Sequence, residues 1–472
     1  MMEERWISPD ISTGALEHFA RRLEQVGTQL HAMEIWQGGA PVLRWDIAPY
    51  RCDDRREVYS LSKSFTATAV GLAFDRGLLS PDDALSRFFP QQVAAQADER
   101  WQHVRLRHLL TMTVGHAECP MPRMAFAPDS VESFFSAPLV YEPGERFVYS
   151  TGASCMLAEV VRRVTGCTVP DWLTRELLGP MGVEALQWDT CADGRCQGGT
   201  GLKATCSEIA LLGALYCARG VWKGRRLLSE EWVDMAGSLQ VKNEDNGTPD
   251  WCAGYGFQFW RNKAEGYRCD GAFGQLCVIL PQRDLSLAMV AESVNMSDEL
   301  DVVWELLDHL YDARAGRGLP GAYTPAQRPS LGDWDSGWLR CGENAMGFTQ
   351  IRLRCTGGAL ALTLCDGTRT QTVAAKPACW TENTIVVKNM QPLLYRQMRR
   401  DMPAPFRFAA AAAARPNALV FECRGLDTPH AFSWVFQPDE TGVSVRIEAK
   451  LDVFGAACAW RAEQAKSTEY GC

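Results

Sequence analysis

The 472-residue sequence has no run of about 18 apolar residues, so no transmembrane helix is expected. It also lacks a basic excess. Lys and Arg number 48 against 57 Asp and Glu, giving a net charge of −9 and a pI near 5.5. A nucleic-acid binder carries a basic footprint, so nucleic acid is set aside as a partner. Small molecules and short peptides stay open as substrates. Histidine is sparse, at 7, and the 18 cysteines form no CxxC pair; the nearest two are Cys191 and Cys196. Scattered in this way they do not read as a zinc site. They read as reduced, mostly buried thiols of a cytoplasmic protein. The opening residues, MMEERWISPDISTG, carry charges and a Trp where a secretory signal has an apolar run, which points to the same compartment. No internal repeat is visible.

The length suits two domains, and a hydrophobic fraction of 46% is ordinary for globular chains. Thr13–Gln25 reads as a helix. His31–Gln37 and Val42–Ile47, separated by Gly38 and Gly39, read as a hairpin. From Ser60, Leu61, Phe65, Ala69, Leu72 and Ala73 recur at helical spacing. Ala67, Val70 and Phe74 add a second apolar face, so this helix should be buried on most sides, with Gly77 ending it. Gly152–Val164 is a further helix. Thr205 to Glu208 is a capping box ahead of an apolar helix running to about Gly220. Strand signals follow at Gly256–Trp260, Gln275–Leu280 and Leu285–Ala291. Leu300, Val303, Trp304, Leu307, Leu310 and Tyr311 then line a helical stripe.

This order predicts an α+β domain over 1–318, with an antiparallel sheet built from both ends of the segment, flanking helices and a helical insert. Its active site is expected at their junction. The Gly- and Pro-rich stretch AGRGLPGAYTPAQRPS reads as a linker, placed over 319–327. Beyond it, Gln350–Cys355, Ala359–Cys365, Thr384–Lys388, Ala418–Cys423 and Gly442–Ile447 read as short strands of an all-β, barrel-like or lipocalin-like domain over 328–472. The run Ala409–Ala414 reads as a loop or short helix.

The strongest chemical signal is Ser60-Leu61-Ser62-Lys63. Residues i and i+3 of a helix share a face, which sets the lysine amine beside the Ser60 hydroxyl. A serine needs such a base to become a nucleophile, and burial lowers a lysine's pKa into a useful range. Alone, SxxK is common and most instances are surface residues. Ser62 has no lysine three residues on. Gly152 to Met156 lacks the final glycine of a GxSxG elbow, which disfavours an α/β-hydrolase. His116 has no nucleophile paired with it and reads as an ordinary loop histidine.

The passage Val58–Leu79, VYSLSKSFTATAVGLAFDRGLL, resembles the first motif of the serine β-lactamase, penicillin-binding-protein and related esterase family. Further resemblances follow in order. They are Leu106–Gly115 (LRHLLTMTVG), Glu142–Thr151 (EPGERFVYST), Gly198–Gly213, Gly220–Val233, and Gly271–Pro281 (GAFGQLCVILP). The ordered set is far more specific than any one motif. The resemblance implies that Ser60 is acylated, that Lys63 takes its proton, and that Tyr149 is a second proton-handling group, with a phenolate stabilised by Lys63 as one option, that protonates the leaving group. Tyr141 fits the motif less well, since it precedes Pro143-Gly144. It implies no metal and no cofactor.

Two departures matter. Thr151 stands where the second motif usually has Asn, and offers the substrate a hydroxyl instead of an amide. On the third-motif strand no Lys or His precedes Gly271 at the family's spacing. Arg268 or Asp270 is the candidate to point into the site. The backbone at Gly271 and Ala272 is the candidate to join that of Ser60 in an oxyanion hole. Thr151, Asp270, Gly271 and Ala272 are thus the expected substrate-binding residues, and carboxylate-bearing antibiotics are poor candidates as substrates. The activity expected is hydrolysis of an ester or amide through acyl-Ser60. A D-amino-acid-specific peptidase and a catalytically inactive binding module are the alternatives. Oligomeric state is not legible.

Overall fold

The computed structural model describes residues 6–243, 247–313, 316, 323, 332–344, 346–387, 404–415, 417–438, 442–449 and 459–464. The chain divides into two compact units, Met1–Asp46 with Arg51–Pro320, and Ile47–Tyr50 with Gly321–Cys472. The linker expected over 319–327 lies outside the described residues, apart from Tyr323.

In the first unit, seven described strands form an antiparallel sheet in the order Trp6–Ile7, Ala40–Asp46, Gln29–Gln37, Leu285–Glu292, Gln275–Leu280, Tyr267–Gly271, Trp260–Arg261. The N-terminal hairpin therefore pairs with the strands that end the unit, as the sequence predicts. The helix Thr13–Gln25 starts where Ser12 Oγ accepts the Ala15 N–H, and it buries Leu16, Phe19 and Leu23 on one stripe. It meets the helix Met296–His309, whose Glu305 takes hydrogen bonds from His18 and Arg22. That second helix buries Leu300, Val303 and Leu307 but stops at His309, so Tyr311 falls past its end and is half exposed. The capping box at Thr205 and Glu208 forms in both directions, at 3.0 Å each, and opens the helix Cys206–Cys217. Gly213 of this helix lies against Cys277 and Ser286 of the sheet, too close for a side chain.

The expected strand Gly256–Trp260 does not form; only Trp260 enters the ladder. Gln258 adopts a φ of +64°, which breaks the extended run. Its backbone carbonyl accepts from Ser64, and its side-chain amide bonds to Ser154 and to the carbonyls of Leu109 and Leu110, so one buried residue joins three helices.

The helix Ser62–Asp75 is buried along its whole length from Ser62 to Ala73. Its polar side chains are paired within the protein, with Thr66 donating to the Gly198 carbonyl at 2.6 Å and Ser64 to that of Gln258 at 2.7 Å. Gly71 is required, because a Cβ there would meet the Trp232 ring at 2.4 Å. The end is a Schellman motif, with Gly77 N–H on the Phe74 carbonyl and Leu78 N–H on that of Ala73.

The second unit is a nearly closed antiparallel barrel of eleven described strands. Its seam, between Thr370–Ala375 and Thr381–Val387, is sewn by side-chain amides. Gln371 makes both bonds to the Val386 backbone, at 2.8 and 2.6 Å, and Asn383 both to Ala374, at 2.8 and 2.9 Å. Phe406, Phe408, Phe432 and Trp434 pack together inside it. The alanine run corrects the sequence reading. Ala409–Ala414 belongs to the strand Ala404–Arg415, paired with Thr381–Val387 on one side and Ala418–Gly425 on the other. Alanine favours helices locally, but a ladder with Ala418–Gly425 along the whole run, joined by a second with Thr381–Val387 at Ala409 and Ala410, outweighs that preference.

Candidate active site

Ser60 does not open the α-helix directly. It sits in a single 3₁₀ turn, Tyr59–Leu61, and the α-helix begins at Ser62. Tyr59 has a φ of +48°, a conformation an L side chain rarely takes, held by its buried ring packing edge-on to Phe273 at 5.1 Å. This turn leaves Ser60 partly exposed while Lys63, one turn on, is only 1% exposed.

Lys63 Nζ donates to Ser60 Oγ at 3.0 Å, to Thr151 Oγ1 at 3.1 Å and to the Gly199 carbonyl at 2.7 Å. All three of its hydrogens are thereby placed. Burial lowers the amine to about 7, against the opposing influence of Cys119 and Asp270. The neutral amine is therefore well populated near neutral pH, which is what a base for Ser60 requires.

Tyr149 and Thr151 flank Ser150, the N-cap of the helix Thr151–Thr165, whose Oγ accepts the Ala153 N–H at 3.2 Å. The loop before it is fixed by the Val148 N–H on the Met112 carbonyl, and by the Thr151 N–H donating to Cys119 Sγ at 3.2 Å. The Tyr149 ring centroid lies 4.7 Å from Lys63 Nζ and 5.3 Å from the Trp260 ring. Burial pushes the phenol well up, with Ser60 and Trp260 drawing it partly back. A resting phenolate is thus disfavoured, contrary to one option left open by the sequence.

The strand Tyr267–Gly271 ends against the Ser60 turn. A Cβ on Gly271 would stand 2.2 Å from the Val58 carbonyl and 3.1 Å from the Leu61 nitrogen, so only glycine fits. Ala272, next in line, is partly exposed. The two charges of this strand face each other instead of leaving a free cation. Arg268, fully buried, donates to Asp270 at 3.0 Å, to the carbonyls of Asp250 and Arg261, and to Asn262 Oδ1. Burial raises the Asp270 carboxyl and Arg268 opposes that rise. In the turn beyond, a Cβ on Gly274 would meet both Glu299 carboxyl oxygens at 2.9 Å; burial raises Glu299 to about 8.

The structure thus gathers Ser60, Lys63, Tyr149, Thr151 and Gly271. Asp270 is engaged by Arg268. His116 stands apart among Trp101 and Phe134, at 5.6 and 4.9 Å, and burial lowers it to about 4. Tyr141 pairs with Arg146 on the surface. Two neighbours escaped the sequence reading, Gly199 and Cys119, while Trp260 ends the aromatic-rich Trp251–Trp260 stretch, which the sequence offers as core packing or as pocket lining. Gly199 had a signal in the GGTG run, since its Cβ would collide with Thr151 and Ser154 at 2.9 Å. Cys119 and Trp260 reach the site only through the fold.

A model of the family described as Beta-lactamase matches residues 17–310. The 6-aminohexanoate-dimer hydrolase of Paenarthrobacter ureafaciens is 24% identical over 255 residues, 49% of this chain and 63% of that protein. The lovastatin esterase of Penicillium rubens is 27% identical over 175 residues, 32% of this chain and 44% of that one. Both matches span less than two thirds of the relative. Among solved structures, the octameric penicillin-binding protein homologue from Pyrococcus abyssi superposes with a TM-score of 0.51 at 15% identity, over 95% of this chain and 99% of that one. That likeness is one of fold.

Proposed function

Because this chain belongs to the beta-lactamase family, we propose that it is a serine hydrolase cleaving an ester or amide of a small molecule or short peptide through an acyl-Ser60 intermediate. The observation that carries this reading is the 3.0 Å contact between Ser60 Oγ and a buried Lys63 amine poised near 7. One relative is named as an esterase and another as the hydrolase of a 6-aminohexanoate dimer, which supports the reaction class.

In this mechanism neutral Lys63 takes the Ser60 proton as Oγ attacks the substrate carbonyl. The backbone N–H groups of Ser60 and Ala272 receive the oxyanion. Tyr149, a neutral phenol, gives its proton to the leaving alcohol or amine and recovers one from Lys63. Water then attacks the acyl-enzyme by the reverse use of the same groups. Thr151 and Gly199 keep the Lys63 amine aimed at Ser60. With Arg268 engaged inward, no free cation on the third-motif strand anchors a substrate carboxylate, so neutral esters and amides suit the site better than penicillins. The catalytic part is assigned to 1–318 and the barrel to a separate domain over 328–472.

A panel of p-nitrophenyl esters and p-nitroanilides with small acyl groups tests this. Hydrolysis abolished by Ser60→Ala and by Lys63→Met is expected. Turnover that survives Ser60→Ala would exclude the acyl-enzyme.

A further inference from the structure

The strand pair that leads into the active site is short. Arg56 and Glu57 pair with Ala204 and Lys203, and the Val58 N–H reaches the Leu202 carbonyl at 3.1 Å. At Gly201, with a φ of +85°, the backbone leaves the extended conformation. The buried Glu57 side chain carries the connection one residue further. Its Oε1 accepts the Gly201 N–H and the Tyr59 N–H, each at 3.1 Å. One oxygen thus joins two segments. Tyr59, with its left-handed φ, immediately precedes Ser60. Gly201 stands two residues from Gly199, whose carbonyl takes a hydrogen from Lys63 at 2.7 Å. Ser62 makes a similar tie from the other side of the turn, where its Oγ donates to the Tyr59 carbonyl and accepts the Leu202 N–H. Ser62 therefore holds Leu202, and Glu57 holds the residue nearer to Gly199. Buried backbone N–H groups are costly to leave without an acceptor, so both segments follow the Glu57 carboxyl.

We propose that Glu57 is a positioning residue for acylation: its carboxyl fixes the turn that carries Ser60 relative to the Gly199 carbonyl, and so keeps the Lys63 amine aimed at the Ser60 hydroxyl. The proposal rests on the reading of Ser60 as nucleophile and Lys63 as base. The role is one of reach and not of charge. The groups that act on the Lys63 amine through charge are Cys119 and Asp270, whereas Glu57 acts through the loop. An acceptor held against an amine favours its protonated form. A Gly199 carbonyl that drifts away therefore loosens the aim of Lys63 and also lowers the pH at which it gives up its proton.

The test uses two variants of the full chain that separate reach from charge. Glu57→Asp keeps the carboxyl but is one methylene shorter, so it cannot serve both N–H groups. Glu57→Gln loses the charge and keeps a carbonyl oxygen at the same reach. The rate of fluorophosphonate adduct formation is followed by intact mass from about pH 5 to about pH 9, which reads only molecules folded well enough to react. Glu57→Asp is expected to lower the plateau rate about tenfold to a hundredfold, the range for a misplacement of up to about 1 Å, and to move the midpoint of the pH profile below that of wild type. Glu57→Gln is expected to rescue the rate to within about threefold of wild type, since both N–H groups keep an acceptor, with the midpoint unmoved. Wild-type rates in Glu57→Asp, or a glutamine variant slower than the aspartate one, overturn the proposal. Should Glu57→Asp not fold, a slowed Glu57→Gln still overturns it. A wild-type protein that forms no adduct, or forms it with no pH step, refutes the reading of Ser60 and Lys63 itself, and the role of Glu57 falls with it.

Discussion

The state of Lys63 makes a quantitative prediction about rate and pH. Only the neutral amine can accept the Ser60 proton. With the group lowered to about 7 by burial, the neutral fraction is about one tenth at pH 6 and about nine tenths at pH 8. Acylation of Ser60 is therefore expected to rise about tenfold across that interval and then level off. An unperturbed lysine would still be rising steeply at about pH 9. A phenolate base at Tyr149 would rise later still, since burial pushes that phenol upward. The assay is the rate of fluorophosphonate adduct formation, followed by intact mass from about pH 5 to about pH 9, a range centred on the amine. Lys63→Arg keeps its proton at every pH in this range. That variant is expected to lose the pH slope and to fall by about two to four orders of magnitude, the usual contribution of a general base. A flat wild-type profile, or one with no plateau by about pH 9, would refute the assignment of Lys63 as base.

Other sites make independent predictions. Glu299 keeps its proton in the folded protein up to about 8, whereas an ordinary carboxyl loses it near 4.5. The folded state thus binds more protons across that window, and stability falls as pH rises through it. Glu299→Gln should be more stable than wild type in urea at pH 8, by up to on the order of 4 kcal/mol, with the difference shrinking towards pH 5; a difference independent of pH would refute this. Gly271→Ala drives a methyl into the Val58 carbonyl. It should lower unfolding free energy by about 1–3 kcal/mol and displace the nucleophile turn, with acylation slowed in molecules that are still folded. Wild-type acylation in this variant would mean that the strand end does not brace Ser60. Benzylpenicillin, whose carboxylate finds no free cation on the third-motif strand, should acylate Ser60 more slowly than its methyl ester. The opposite order would mean that Arg268 or another cation reaches the substrate.

Much of this site could be read from residue order, and the reasons are physical. Ser60 and Lys63 were legible because a three-residue spacing on a helix fixes a contact whatever the fold around it. The helix Thr13–Gln25, the N-terminal hairpin and the Thr205 capping box were legible because each is specified by its own side chains. What failed depends on partners distant in sequence. The alanine run forms a strand because Ala418–Gly425 pairs with its backbone throughout and Thr381–Val387 with its start. Gly256–Trp260 is bent by a buried Gln258 that answers to groups more than a hundred residues away. Gly199 and Trp260 meet Lys63 and Tyr149 only after the loop that carries Gly199 and the sheet's edge strand are folded in place. The missing third-motif cation was legible as an absence, and so was the weaker case for carboxylate-bearing substrates, but not whether Arg268 takes its place. Only the structure reveals that Arg268 is turned to Asp270 and the carbonyls behind it.

The most direct test of the central claim is the intact mass of the protein after incubation with a fluorophosphonate, for wild type and Ser60→Ala. A single adduct on the wild-type protein that disappears in the variant is the predicted result, since a serine beside a buried lysine amine that is partly neutral near pH 7 is activated. An unmodified wild-type protein, or an adduct that persists in Ser60→Ala, would contradict the acyl-Ser60 mechanism.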